Sequence, residues 1–202
     1  MNKLYLIVAV MAYLLGSIPF GYVLVRIFRG EDIRQTGSGN IGATNVWRVY
    51  GRRLGVPVIL LDVAKGFVPA LVGLKVSGEL TGVLAGAAAM AGHWRPLYLR
   101  FTKGGKTVAT AGGVTFALAP LAALCCVVTW IAIFLLGRYS SVASIIVALL
   151  LPVYIWVFGG DWPVVTFGTL AAVAVLLLHK GNMRRLLAGT ESRFHFRRAA
   201  RA

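Results

Sequence analysis

Acidic residues are scarce, with 6 Asp plus Glu in 202 residues against 21 Lys plus Arg, and charged side chains of both signs make up 13% of the chain. A soluble domain carries about 25% charge and about 45–50% apolar residues. Here 58% of the residues are hydrophobic and the mean hydropathy is +0.80. The shortage of charge excludes an ordinary soluble domain and leaves a polytopic membrane protein with a basic remainder. Cysteine is nearly missing too. The only two, Cys125 and Cys126, are adjacent inside an apolar run, which excludes a disulfide framework and marks them as lipid-facing or core packing.

The apolar runs fall at 4–25, 56–74, 80–94, 107–137, 142–158 and 163–178. The first follows Lys3 but has the length of a span and lacks a short apolar core with a small-residue cleavage site, so it is read as a span and not a signal peptide. The run at 107–137 would reach about 46 Å as one helix, well beyond a hydrocarbon core of about 30 Å. It is either one long tilted helix or two short ones folded back near Pro120. The distribution of Lys and Arg decides, because basic residues near span ends favour the cytoplasm. With two helices, eighteen of the 21 basic residues gather on one face; with one, the basic tail from Lys180 onward would lie outside. The sequence therefore predicts an all-α membrane protein, a single domain over residues 1–202, with seven transmembrane helices, the N-terminus outside and the C-terminus cytoplasmic. The outer connections are too short to build a site, so polar chemistry belongs to the Gly-rich cytoplasmic loops of a multi-pass inner-membrane protein.

The first inner loop reads GSGNIGATNVWR from Gly37 to Arg48. It fits the GxGxxG spacing, but that pattern signals a dinucleotide site only between a strand and a helix, and here the neighbourhood is transmembrane. Glycines permit tight turns whose N–H groups cradle anions, and Ser38, Asn40, Thr44, Asn45 and Arg48 add polar groups. A helix-capping turn is the plainer reading of the same residues. In the second loop, Gly104-Gly105-Lys106-Thr107 imitates the end of a P-loop, but Arg100 stands where that motif needs its first glycine. What survives is a turn that brings backbone donors, a helix N-terminus and an ammonium group together, which suits a bound anion. Trp94, Arg95, Tyr98 and Arg100 fit an interfacial belt, and His93 reads as a packing or supporting histidine.

Asp62 and Lys65 lie on one side of a span, as a structural ion pair would. Ser141 and Ser144 stand one helical turn apart at the start of a later span, and serines there usually bond their own backbone or a neighbouring helix. His179 lies where the last span ends, with Asn182 one turn later on the same side. The tail after Arg193 is basic and reads as a solvated, lipid-headgroup-binding end. Other chemistries lack their residues. No carboxylate follows His93, His179 or His195 at the HxxxxD spacing of one acyltransferase class, there is no GxSxG elbow, and no His/Asp/Glu cluster has metal spacing. An enzyme built from these residues relies on anion binding, orientation and one histidine, which suits a donor that is already activated.

GSGNIGATNVWR, GHWRP followed by GGKTVAT, and HKGNMRRLLAGTESR, in that order on one face, resemble the bacterial acyl-phosphate-dependent glycerol-3-phosphate acyltransferases, the PlsY family. The resemblance runs from the Leu-Leu-Gly-Ser-Ile-Pro-Phe-Gly of the first span to the end of the third motif. Two departures are Thr107, at a position commonly glycine in such enzymes, and Thr102, an extra residue before Lys103. The resemblance implies acyl transfer from acyl phosphate to the 1-hydroxyl of sn-glycerol 3-phosphate. It also implies no cofactor, no metal, no nucleic-acid partner, and contact with membrane lipids and with a soluble enzyme that makes acyl phosphate. By the same resemblance Arg48, Lys106, Ser144 and His179 form the catalytic group, and Ser38, Asn40, Thr44, Asn45, Gly104, Gly105 and Asn182 hold substrate and phosphate. The competing class is a transporter or channel for a phosphorylated or lipidic anion, which would place polar groups along a path to the bilayer midplane. Here only Asp62 and Lys65 reach inward.

Overall fold

The structure is a computed structural model that describes residues 3–195, and among these every regular element is helical. The first apolar run is two helices, α1 (Lys3–Gly16) and α2 (Phe20–Arg29). Pro19 separates them because it has no N–H to donate and disfavours a helical conformation at Ile18. The loop after α2 carries a short 3₁₀ turn at Ile33–Gln35 and then α3 (Ala43–Tyr50). The central element is α4 (Arg52–Ser77), which packs against α1, α3, α5 (Glu79–Trp94) and α6 (Val108–Leu118). The long apolar run is indeed broken: α6 ends at Leu118, and Pro120 opens α7 (Pro120–Gly137), at a first-turn position where its missing N–H costs nothing. Then α8 (Ser140–Val157) lies between α7 and α9 (Trp162–Leu178), α9 returns to α5, and α10 (Lys180–Leu187) follows a bend of 55° at His179.

Four segments have the length and apolarity to cross a bilayer: Lys3–Arg29, Arg52–Ser77, Pro120–Gly137 and Ser140–Val157, with the bent α9–α10 pair as a fifth. At 1.5 Å per residue the 11 residues of α6 span only about 17 Å, and the 16 of α5 about 24 Å. Both are held inside the bundle instead of standing alone in lipid. Close approach makes this packing dense. A Cβ at Gly16 would overlap the Ala89 backbone, and one at Gly92 the backbone around Tyr13, so α1 lies directly on α5. The main core joins Ala70, Met90, Val114, Cys126, Leu151 and Phe167, while side chains such as Leu60, Leu136 and Trp156 cover the outside.

Asp62 and Lys65 pair at 2.7 Å, both buried, and the Lys65 ammonium also donates to the Ile18 carbonyl at 3.0 Å. That carbonyl lies in the break that Pro19 makes between α1 and α2, where it also accepts from the Phe20 N–H at 3.1 Å. The tail corrects one expectation. Phe194, read as part of a solvated end, is 3% exposed and packed among aromatic rings, because its ring fills a gap beside α3 and α7. His195 is exposed, and the rest of the basic tail lies outside the described residues.

Candidate active site

The first loop is tied to itself by Asn45. Its buried side chain accepts from the Ser38 backbone N–H at 2.9 Å and donates to the carbonyls of Thr36 and Asn40 at 3.1 and 2.9 Å. All its hydrogen-bonding capacity but one lone pair is thus spent on holding the turn. Asn40 accepts from Gly42 N–H at 2.8 Å and reaches the second loop, donating to the Gly104 carbonyl at 3.4 Å. The Ser38 side chain is exposed beside this turn, and Thr44 is half-buried on the first turn of α3. Arg48, one turn further along α3, is half-buried, its Nε is enclosed without a hydrogen-bond partner, and its guanidinium lies over the Phe194 ring at 6.0 Å.

The diglycine turn rests on the end of α5. Gly104 N–H donates to the Trp94 carbonyl at 2.9 Å and Gly105 N–H to the His93 carbonyl at 3.0 Å. Only glycine fits, since a Cβ at either position would overlap His93. The extra residue Thr102 is absorbed upstream: Arg100 and Phe101 take φ of 54° and 57°, and Thr102 folds its hydroxyl back onto the Leu99 carbonyl at 2.9 Å. The anchored turn is thereby undisturbed. Lys106 leaves it and donates to Asn182 Oδ1 at 2.5 Å, across 76 residues of sequence. Thr107 holds φ 62° and is buried with its hydroxyl unpartnered.

His179 caps α9 at the bend, with Nδ1 2.8 Å from the Val175 carbonyl. A carbonyl accepts and never donates, so Nδ1 carries the proton and Nε2 is left as an acceptor. Asn182, one turn on, is buried and donates to Glu191 Oε1 at 2.7 Å. Glu191 also accepts from Ser141 Oγ at 2.7 Å and Arg185 Nε at 2.8 Å. Ser144 donates to the Ser140 carbonyl at 2.7 Å and accepts from Trp130 Nε1 at 3.1 Å. Trp130 stacks on Phe134, which meets Phe194 edge-on, and so the serine is joined through rings to the Arg48 side of the site.

Direct side-chain bonds therefore link Lys106, Asn182, Glu191, Ser141 and Arg185, while the first loop joins through Asn40 and the Gly104 carbonyl. Sequence reasoning missed Glu191 and Phe194. A signal for the first was present, because Glu191 is the one acidic residue after Asp161, in a tail crowded with arginine. Nothing local distinguishes Phe194, whose burial depends on α3 and α7. The charges are unbalanced toward an anion. Burial, opposed by Glu191 and reinforced by Arg185, Lys103 and Arg48, pushes the Lys106 ammonium down to about 8. Burial likewise holds Arg48 below the usual guanidinium range, with Glu191 opposing and Arg185 adding repulsion. Burial works to raise the Glu191 carboxyl, but its bonds from Asn182, Ser141 and Arg185 prevail and keep it below the usual carboxylate range. Two cations lacking a carboxylate of their own, beside backbone donors, make a site that gains most from a bound phosphate.

An apolar cavity of about 280 Å³ between α5 and α9, lined by Met90, Trp94, Thr107, Phe167 and Leu178 among others, begins one residue beyond Lys106. Thr107 thus links the diglycine turn that carries Lys106 to this apolar cavity.

Comparison with known proteins agrees with this geometry. The family model described as glycerol-3-phosphate acyltransferase matches residues 6–189. A glycerol-3-phosphate acyltransferase of Desulforudis audaxviator is 45% identical over 93% of this chain and 94% of its own length. That of Aquifex aeolicus is 43% identical over 96% of this chain and 100% of its own. Among solved structures, the glycerol 3-phosphate form of PlsY (YgiH), an integral membrane glycerol 3-phosphate acyltransferase, superposes with a TM-score of 0.91 at 42% identity, over 95% of this chain and 96% of that one. Its lysophosphatidic acid form gives 0.88 at 40% identity, over 95% of each chain. With three motifs converging at one end of the bundle and this likeness along nearly its whole length, the chain belongs to the glycerol-3-phosphate acyltransferase family.

Proposed function

We propose that the protein transfers a fatty acyl group from acyl phosphate to the 1-hydroxyl of sn-glycerol 3-phosphate, giving lysophosphatidic acid and phosphate. The carrying observation is the 2.5 Å bond from Lys106 to Asn182, which joins the second and third motifs beside an Arg48 whose Nε has no partner. Relatives named for glycerol 3-phosphate acylation, and PlsY structures in glycerol 3-phosphate and lysophosphatidic acid forms, support the acceptor and product.

The single domain crosses the inner membrane seven times, as α1–α2, α4, α5, α6, α7, α8 and α9, with the N-terminus outside and the site facing the cytoplasm. The bias of basic residues toward the inner loops supports this orientation. The acyl tail lies in the apolar cavity beside Thr107, next to the cations that take the phosphates. Arg48 and Lys106 bind the phosphates and stabilise the charge that develops on the carbonyl oxygen and the leaving phosphate. Gly104 and Gly105 shape the cradle on the second-loop side, Ser38, Asn40, Thr44 and Asn45 on the first-loop side. Asn182 and Ser144 align the reactants, which turns an encounter into an in-place attack. The acceptor oxygen attacks the acyl carbon, the carbon–oxygen bond to phosphate breaks with its electron pair on phosphate, and the hydroxyl proton ends on the released phosphate. His179 Nε2 receives the hydrogen bond of the attacking hydroxyl. Membrane lipids surround the bundle, and a soluble enzyme that makes acyl phosphate supplies the donor.

The test is purified protein in detergent or lipid cubic phase, given acyl phosphate and glycerol 3-phosphate, with inorganic phosphate release followed. Release that requires both substrates is expected. Release that ignores glycerol 3-phosphate, or no release at all, refutes the reaction.

A further inference from the structure

The family model ends at residue 189, yet the next five residues are among the most firmly held loop segments of the protein. The N–H groups of Thr190 and Glu191 donate to the Arg185 carbonyl at 2.8 and 3.1 Å. Arg193 donates to the Tyr139 hydroxyl at 3.0 Å and lies over the same ring at 5.2 Å. Phe194 N–H donates to the Arg138 carbonyl at 2.7 Å, and the Phe194 ring meets Trp47 at 5.9 Å and Phe134 at 5.4 Å, both edge-on. A segment with no helix or strand of its own is thus fastened to α3, α7, α8 and α10 at once. The one ring of the segment, that of Phe194, has its centroid 6.0 Å from the Arg48 guanidinium carbon.

We propose that residues 190–194 are a strap that completes the phosphate site, and that Phe194 is a positioning residue which holds the Arg48 guanidinium so that its N–H donors stay directed at substrate phosphate. An arginine side chain in a pocket without a carboxylate partner has several rotamers and nothing to choose among them. The Phe194 ring, with its centroid 6.0 Å from the guanidinium carbon, favours one, and does so without using any of the five N–H donors, because a ring attracts the cation through its π electrons and accepts no conventional hydrogen bond. The same ring excludes water from one side of the guanidinium, which strengthens its hold on an anion. This inference rests on the reading of Arg48 as a phosphate ligand.

The experiment is steady-state kinetics on the purified full chain with Phe194→Leu, Phe194→Tyr, Arg48→Lys and the Leu/Lys double variant, each checked for its Tm. Phe194→Leu keeps the apolar volume and removes the π face. It should raise KM for a phosphate-bearing substrate about tenfold, the loss of one charge–ring contact at a buried site, with kcat within about threefold. Phe194→Tyr should stay within about twofold of wild type. On the Arg48→Lys background, Phe194→Leu should add less than about twofold, because the two residues act through one contact. KM within about twofold of wild type for both substrates in folded Phe194→Leu overturns the proposal, as does failure of Phe194→Tyr to rescue or full additivity with Arg48→Lys. If Phe194→Leu does not fold, Phe194→Met provides the same comparison under the same criteria. An Arg48→Lys variant with unchanged KM removes the phosphate role of Arg48 itself, a different result from failure of the strap alone.

Discussion

Replacing Thr107 by glycine should stabilise this protein. Thr107 opens α6 at φ 62° and ψ 0°, a left-handed conformation in which the Cβ of an L-residue crowds the backbone, and it is buried with its hydroxyl unpartnered. Left-handed geometry costs roughly 1–2 kcal/mol for a residue with a Cβ, and an unpaired buried hydroxyl about 1 kcal/mol at the low end of its range. Glycine removes both penalties. Against that stand about 0.5–1 kcal/mol of extra chain entropy in the unfolded state and about 0.8 kcal/mol for the lost buried methyl group. The balance favours Thr107→Gly by about 1 kcal/mol, or about 2–4 °C in Tm for a chain of this size. Thr107→Ala is the control: it sheds the hydroxyl but keeps the strained backbone, so it should gain less. Thermal unfolding in detergent, read by a thiol-reactive dye as Cys125 and the buried Cys126 become accessible, measures both. A Thr107→Gly protein that melts below Thr107→Ala would refute the strain argument.

Lys106, pushed down to about 8 by burial, is charged below that pH and loses its proton above it. Because phosphate binding needs the ammonium form, kcat/KM should hold up to about pH 8 and fall above it. Lys106→Arg should abolish that limb whatever its absolute rate, and an unchanged alkaline limb would exclude Lys106 as its origin. Gly105→Ala should cost most of the activity while the helices remain, since the new Cβ would overlap His93 Nε2 and push the turn off the end of α5; near wild-type turnover would contradict that seating. Asp62→Ala leaves the Lys65 ammonium buried without its partner, a loss of about 3–5 kcal/mol. It should fail to give a monodisperse protein on size exclusion, whereas Asp62→Leu with Lys65→Met should recover one. A stable Asp62→Ala protein would show that the Ile18 carbonyl alone satisfies the lysine.

Much of the helix layout was legible because bilayer length and apolar composition are properties of contiguous segments. Length raised the question of a break at Pro120 and the bias of basic residues between loops decided it, while the Asp62–Lys65 pair followed from helical spacing. The division of the first span at Ser17–Pro19 was legible only as a proline, and its consequence lies elsewhere: it places the Ile18 carbonyl in a helix break, where Lys65 reaches it. In the site, the family resemblance named Arg48, Lys106 and His179 as candidates, yet neither it nor residue type separated Asn45, which secures its own loop, from Asn182, which meets Lys106.

By itself the sequence determined that the chain is a helical membrane protein with its basic residues gathered on a few loops and the tail. Hydropathy and charge act through the solvent, and each residue's contribution is fixed without knowing its neighbours. The three motifs, too, stood in the sequence as strings. Only the tertiary structure decided that Glu191 binds Asn182, Ser141 and Arg185 together, that Phe194 leaves the tail to cover Arg48, and that Thr107 bears a left-handed backbone. The Ser141–Glu191 bond and the Phe194–Arg48 contact join groups far apart along the chain. Hydrogen bonds and ring contacts act only over a few ångström, so the sequence marked Glu191 as unusual without saying which groups it meets.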